Sequence, residues 1–188
     1  MSASRAGVPA ADLARIVVFA AFIAVLGIFP GLYVGGSGVP IVVQNAGPLL
    51  AGAILGAKRG TAAVVLFLAL TALGLPLLSG GRGGVGPFLG PSGGFLLGWI
   101  VSALVVGLIV GHVKGRALPV MLLATFAGLI ADYLIGIPFL GLYTGHLAAA
   151  AVQSLVFVPG DLAKVVISAL IATVARRALA PAGTSGRP

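Results

Sequence analysis

The 188 residues carry eleven Lys and Arg against three Asp and Glu, a formal charge of +8, yet only 7% of the chain is charged and 60% is hydrophobic, with a mean hydropathy of +1.22. A soluble domain carries about a quarter charged residues, so these proportions exclude a water-facing fold and leave a protein whose apolar residues meet lipid. The basic residues stand singly or in pairs between apolar runs, which argues against a nucleic-acid partner, and the absence of cysteine removes disulfides, thiolate metal sites and cysteine nucleophiles.

Crossing ~30 Å of hydrocarbon takes about 20 mostly apolar residues in a helix. Six stretches qualify in chain order: 13–29, 41–57, 61–78, 94–111, 118–143 and 148–174. Each is apolar on all sides instead of alternating, so helices are expected rather than barrel strands. Short cytoplasmic loops are enriched in Lys and Arg. Arg5 and Arg15 flank the first stretch, Lys58 and Arg59 follow the second, Lys114 and Arg116 follow the fourth, and Arg176, Arg177 and Arg187 follow the sixth. That places nine of the eleven basic residues on one side, with both termini inside. The expectation is an all-α integral membrane protein of the cytoplasmic membrane, a multi-pass bundle of six transmembrane helices. A cytoplasmic tail over 1–12 would precede the bundle at 13–178, and a second tail over 179–188 would follow it. The sequence around Ile28-Phe29-Pro30-Gly31 makes a poor cleavage site for a signal peptide, so the first stretch is kept as a helix.

Glycine recurs at helix-packing spacing in Gly52/Gly56, Gly94/Gly98 and Gly107/Gly111, which is read as close helix approach alone. Polar residues inside the stretches are costly and need a reason. Gln44 and Asn45 enter the second stretch at its outer end. Carboxamides both donate and accept, which suits a neutral ligand carrying N–H and C=O, while for Asn45 helix capping is an equal alternative. Arg82 lies in a glycine-rich loop over 79–94, where a guanidinium could grip a carboxylate and a lid could form. Asp132, beside Tyr133, is either structural or a pocket wall. Asp161 and Lys164, three apart after Pro159, share a helix face and can pair. A pocket reading is preferred to a structural plug, because a buried ion pair rarely stabilises more than apolar residues of equal volume. His112 and His146 make a poor metal site, and Trp99, Tyr33 and Tyr143 are expected at the interfacial aromatic belts. No Walker A pattern and no nucleophile–base set occurs in these residues, so an enzyme is not expected.

Four ordered motifs then resemble the BioY family, the biotin-specific S-components of energy-coupling-factor transporters. They are Val39-Pro40-Ile41-Val42-Val43-Gln44, Gly74-Leu75-Pro76 leading into the loop around Arg82, Gly90-Pro91-Ser92-Gly93-Gly94-Phe95, and Pro159-Gly160-Asp161-Leu162-Ala163-Lys164. The resemblance implies a six-helix bundle that captures biotin from outside as cargo, without a cofactor. It also implies coupling to a transmembrane T-component and two cytoplasmic ATPases, or self-association and import without them. Ala20 and Ala24 match the family's small-residue stripe, which would meet the T-component. Asp161, Lys164, Gln44 and Asn45 would meet the ureido ring, and Arg82 or a loop N–H the carboxylate. Ser92 stands where the pattern has Thr, and Asp132 is an added acid. The competing expectations are an S-component for thiamin or riboflavin, which should be richer in Trp and Tyr, and a membrane assembly protein with no small ligand.

Overall fold

The computed structural model describes residues 9–34, 36–113 and 117–179, and α-helices make up most of them. Arg5, Lys114, Arg116 and Arg187 lie outside the described residues, as do most of the two tails. Helix α1 spans Ala10–Leu26, α2 Ala46–Leu55, α3 Ala57–Ala72, the short α4 Gly86–Leu89, α5 Gly93–His112, α6 Leu118–Thr144, α7 Leu147–Ser154 and α8 Val158–Ala178. A two-residue antiparallel pair, β1 (Leu32–Tyr33) and β2 (Pro40–Ile41), follows α1, with Leu32 opposite Ile41. Single 3-10 turns at Val43–Asn45 and Leu155–Phe157 lead into α2 and α8.

Among the described residues, three stretches are long and apolar enough to cross a membrane: α5, α6 and the continuous Leu147–Ala178 segment that holds α7 and α8. Helices α1 and α3 have 17 and 16 residues, which at 1.5 Å per residue is about 25 Å, slightly under the hydrocarbon thickness. The boundaries depart from the sequence expectation in three places. The stretch 41–57 begins as a strand and a 3-10 turn, so α2 itself is only 10 residues long. The stretch 61–78 stops being helical at Ala72, ahead of Gly74 with its φ of 109°. The stretch 148–174 breaks at 155–157, because Pro159 has no N–H to give to the preceding turn and sits instead in the first turn of α8.

Glycine sets the distances between helices. A Cβ at Gly52 of α2 would run into the Ala103 carbonyl of α5, and one at Gly107 of α5 into the backbone of Ala57, so backbones touch where side chains would otherwise separate them. Gly56 departs from the helix-packing expectation. With φ 81° it ends α2, and the space beside it is open. Gly111 likewise faces open space.

Side chains from α1, α3 and α5 form one core, around Ile23, Phe67, Leu96 and Trp99. A second core joins α2, α5, α6 and α8 through Leu49, Val106, Met121 and Val165. A third, smaller cluster gathers Val39, Phe95, Leu140 and Phe157. Large apolar residues such as Val18, Leu123, Leu134 and Val174 face outward, as a lipid-facing surface requires.

Contacts at one end of the bundle tie its charged ends together. Arg59 Nε at the start of α3 lies 2.9 Å from Asp12 Oδ1 at the start of α1, with Arg15 at 3.4 Å from the same oxygen. Arg176 near the end of α8 donates to the Ala53 carbonyl near the end of α2 at 3.1 Å. Arg15, Lys58, Arg59, Arg176 and Arg177 therefore share an end, and the polar residues of the first and fourth motifs lie at the other ends of α2 and α8.

Candidate functional site

The polar residues singled out by sequence meet at the end opposite the basic cluster. Two of the helices that build this site start there after a helix-breaking turn. The 3-10 turn at Val43–Asn45 delivers Gln44 and Asn45, and the turn before α8 delivers Asp161 to its first helical turn, where the helix dipole favours an acid. Asp161 is the hub. Its Oδ1 accepts from Lys164 Nζ at 2.7 Å and from Asn45 Nδ2 at 3.0 Å, and its Oδ2 accepts from the Tyr133 hydroxyl at 2.7 Å. Three elements thus converge on one carboxylate, with α6, α8 and the 3-10 turn before α2 each supplying a partner. The Asp161 and Lys164 side chains are 5% and 14% exposed, so the pair is shielded from water and its interaction is little screened.

Asn45 does not cap α2 with its side chain; its amide is turned to Asp161 instead. Gln44 is fully buried, and both of its amide protons are spent on carbonyls, Ile23 at 3.0 Å and Leu77 at 2.8 Å, while its Oε1 accepts from the Ser79 N–H at 3.1 Å. It clamps the end of α1 to the loop after α3 and presents its edge to the cavity as a wall.

The pairing does not fill the space. A partly open pocket remains beside the hub. Asn45, Asp132, Tyr133, Asp161 and Lys164 line its polar side, and Phe95, Trp99, Phe157, Leu78 and Val39 its apolar side. Phe95 packs edge-on against Tyr133 and Phe157, with centroids 6.3 and 5.9 Å apart, which fixes the aromatic wall. Arg82 reaches the cavity from a tight turn in which its N–H bonds back to the Leu78 carbonyl and its Nε donates to Ser79 O at 3.1 Å. Gly80 and Gly81, at φ 79° and 70°, make that turn possible. Arg82 and Ser92 also line an outer cleft walled by glycine and proline, so they are shared between the pocket and that cleft.

Other expectations meet different outcomes. Trp99, expected at a membrane boundary, is buried against Phe67 and lines the cavity, because its place on α5 faces the core. Tyr33 and Tyr143 are exposed. Ala20 is 4% exposed within the first core cluster, so it belongs to the interior and not to a docking surface; Ala24 is half-buried. No group of three or more metal-ligating side chains occurs among the described residues. Tyr133 is the site residue that sequence reasoning passed over. The signal was available: a tyrosine adjacent to an intramembrane acid, in a helix otherwise nearly free of polar side chains.

Comparison with known proteins gives a consistent picture. The profile of the BioY family matches residues 1–181. The biotin transporter BioY of Rhodobacter capsulatus is 46% identical over 175 residues, covering 86% of this chain and 90% of that protein. The biotin transporter BioY of Rhizobium etli is 40% identical over 168 residues, covering 85% and 90%. Among solved structures, the S-component for biotin from an ECF-type ABC transporter superposes with a TM-score of 0.84 at 34% identity, covering 89% of this chain and 91% of the other.

Proposed function

The chain belongs to the BioY family, and on that premise we propose that it captures biotin at the outer side of the cytoplasmic membrane, as the S-component of an energy-coupling-factor transporter. One observation carries the reading: a pocket lined both by aromatic side chains and by a buried ionic hub that still has hydrogen bonds to offer. Lys164 has three ammonium protons and spends one on Asp161, so two remain for a ligand carbonyl. Biotin combines a ureido ring, an apolar bicycle and a carboxylate, and the cavity supplies a counterpart to each. The ring sits at the Asp161–Lys164–Asn45 side, the bicycle against Phe95 and Trp99, and the tail points to Arg82 at the outer opening. Catalysis is not required of these residues; their work is to replace the ligand's hydration in a site shielded from water.

The bundle crosses the membrane six times in this reading, through α1, the 43–55 segment, α3, α5, α6 and the α7–α8 segment, with both termini in the cytoplasm. Support comes from the basic residues, where Arg15 and Arg59 tie the start of α1 to that of α3 through Asp12, and Arg176 ties the end of α8 to that of α2. The chain has no phosphate-binding loop of its own, so uptake against a gradient draws on a transmembrane T-component and two ATPase subunits. Exposed apolar residues of α1, among them Leu13, Val17 and Val25, offer such a partner a surface.

Purified in detergent and titrated with labelled biotin, the protein is expected to retain it with an affinity on the order of nanomolar. Thiamin and riboflavin should fail to displace it. Absence of retention, beside strong retention of either of those vitamins, overturns the assignment.

A further inference from the structure

Among the described residues lining the cavity, Asp132 stands apart. It is 4% exposed, it faces the same space as Lys164 and Tyr133, and its side chain makes no hydrogen bond or ion pair with any described residue. Buried polar groups in folded proteins are almost always satisfied, and a carboxyl group is among the costliest to leave without a partner. The fold nevertheless makes room for this one. A Cβ at Gly98 of α5 would strike Asp132 Oδ1, so only glycine at that position lets α5 pass while the carboxyl stays in place.

The acceptor inventory of the cavity sharpens the point. Asp161 already receives three hydrogen bonds, from Lys164, Asn45 and Tyr133, against a capacity of about four for a carboxylate. It has little left to offer a ligand that brings N–H groups. Among the residues lining this pocket, Asp132 and Asn45, from different helical segments, each carry a buried acceptor oxygen without a partner. Lys164 brings unspent donors to the same pocket. A cyclic urea, with two N–H groups flanking one C=O, presents the complementary set.

We propose that Asp132 is a ligand-contacting, specificity-determining residue that accepts a hydrogen bond from a ring N–H of the bound molecule, while Asp161 acts mainly to hold Lys164, Asn45 and Tyr133 in place. This assignment rests on the biotin reading above and adds a contact to it. It gives Asp132 a task that a packing residue would not have: rejecting rings that lack the N–H.

The test uses the full chain in detergent, as wild type, Asp132→Ala and Asp132→Asn, each titrated with biotin and with the two biotins methylated at one ring nitrogen or the other. Wild type is expected to bind biotin tightly and to bind at least one methylated form far more weakly. Asp132→Ala should lose biotin affinity by about 10- to 100-fold while changing its affinity for that methylated form by less than about 3-fold. Asp132→Asn keeps the volume and one acceptor, so its loss should be smaller and confined to the same ligand; it carries the comparison if the alanine variant is not monodisperse. A variant that binds biotin as wild type does, or one that loses all three ligands by the same factor, overturns the proposal. Wild-type protein that retains no biotin overturns the underlying reading, and this contact with it.

Discussion

Lys164 and Arg82 are both cations at the cavity, but their surroundings assign them different tasks. Lys164 is shielded and anchored at 2.7 Å to a carboxylate that two further donors hold still, so its remaining protons are aimed before a ligand arrives. Arg82 is half-buried in a glycine turn, uses Nε on a backbone carbonyl, and leaves the outer face of its guanidinium toward the opening. A planar guanidinium there suits a carboxylate tail. Arg82→Ala should therefore weaken biotin by about 10-fold or more, and biotin amide by clearly less, when both are titrated on the purified protein. Equal losses would remove the carboxylate contact from the account. The Asp161 and Lys164 pairing was legible at this scale, because a spacing of three after a proline admits few other geometries in a helix. The partners of Asp161 from other helices were not legible, since no local pattern encodes a contact 116 residues away such as that of Asn45.

Elements meet at Gln44. Its amide holds the last turn of α1, the loop after α3 and the N–H of Ser79 in one buried knot, so it sets where the cavity wall stands. Replacing it with Met keeps most of the volume and strands two carbonyls and one N–H, at a cost of roughly 2–4 kcal/mol. Gln44→Met should lower the apparent Tm in detergent by about 5 °C or more, measured without ligand. An unchanged Tm would show that the knot adds nothing to the fold. Helices were readable from hydropathy because lipid exposure leaves long apolar runs. Their ends were less so: the 3-10 turns before α2 and α8 and the β1–β2 pair are too short to leave a periodic signal. The run 79–94 reads as a loop from its glycines, and it hides the single turn of α4 and the Leu78–Arg82 bridge. Ala20 shows the limit of reading a small-residue stripe: the spacing is correct for a face, but which face is settled by packing against α3 and α5.

On the scale of the whole molecule, charge and function separate along the bundle axis. The basic end is held by Asp12, Arg59, Arg15 and Arg176 in contacts that are partly exposed and individually worth ~1 kcal/mol or less, so their value is in orientation more than stability. The opposite end spends its polar groups on a cavity, where they are expensive and few. Such a division suits a protein that meets its ligand on one side and its energy source on the other. Composition showed a membrane protein and the basic residues showed an axis. The pocket itself, which distinguishes a binding protein from a packed bundle, appears only once α5, α6, α8 and the segment ahead of α2 are set around it.

The most direct test compares wild type with Lys164→Ala in equilibrium titrations with biotin, on protein shown to be monodisperse in both forms. Removing the anchored ammonium should cost at least about 100-fold in affinity, because a buried charged donor to the ligand is lost and Asp161 is left without its cation. A variant that stays folded and binds biotin as tightly as wild type would contradict the claim that this buried hub is where the ligand is held.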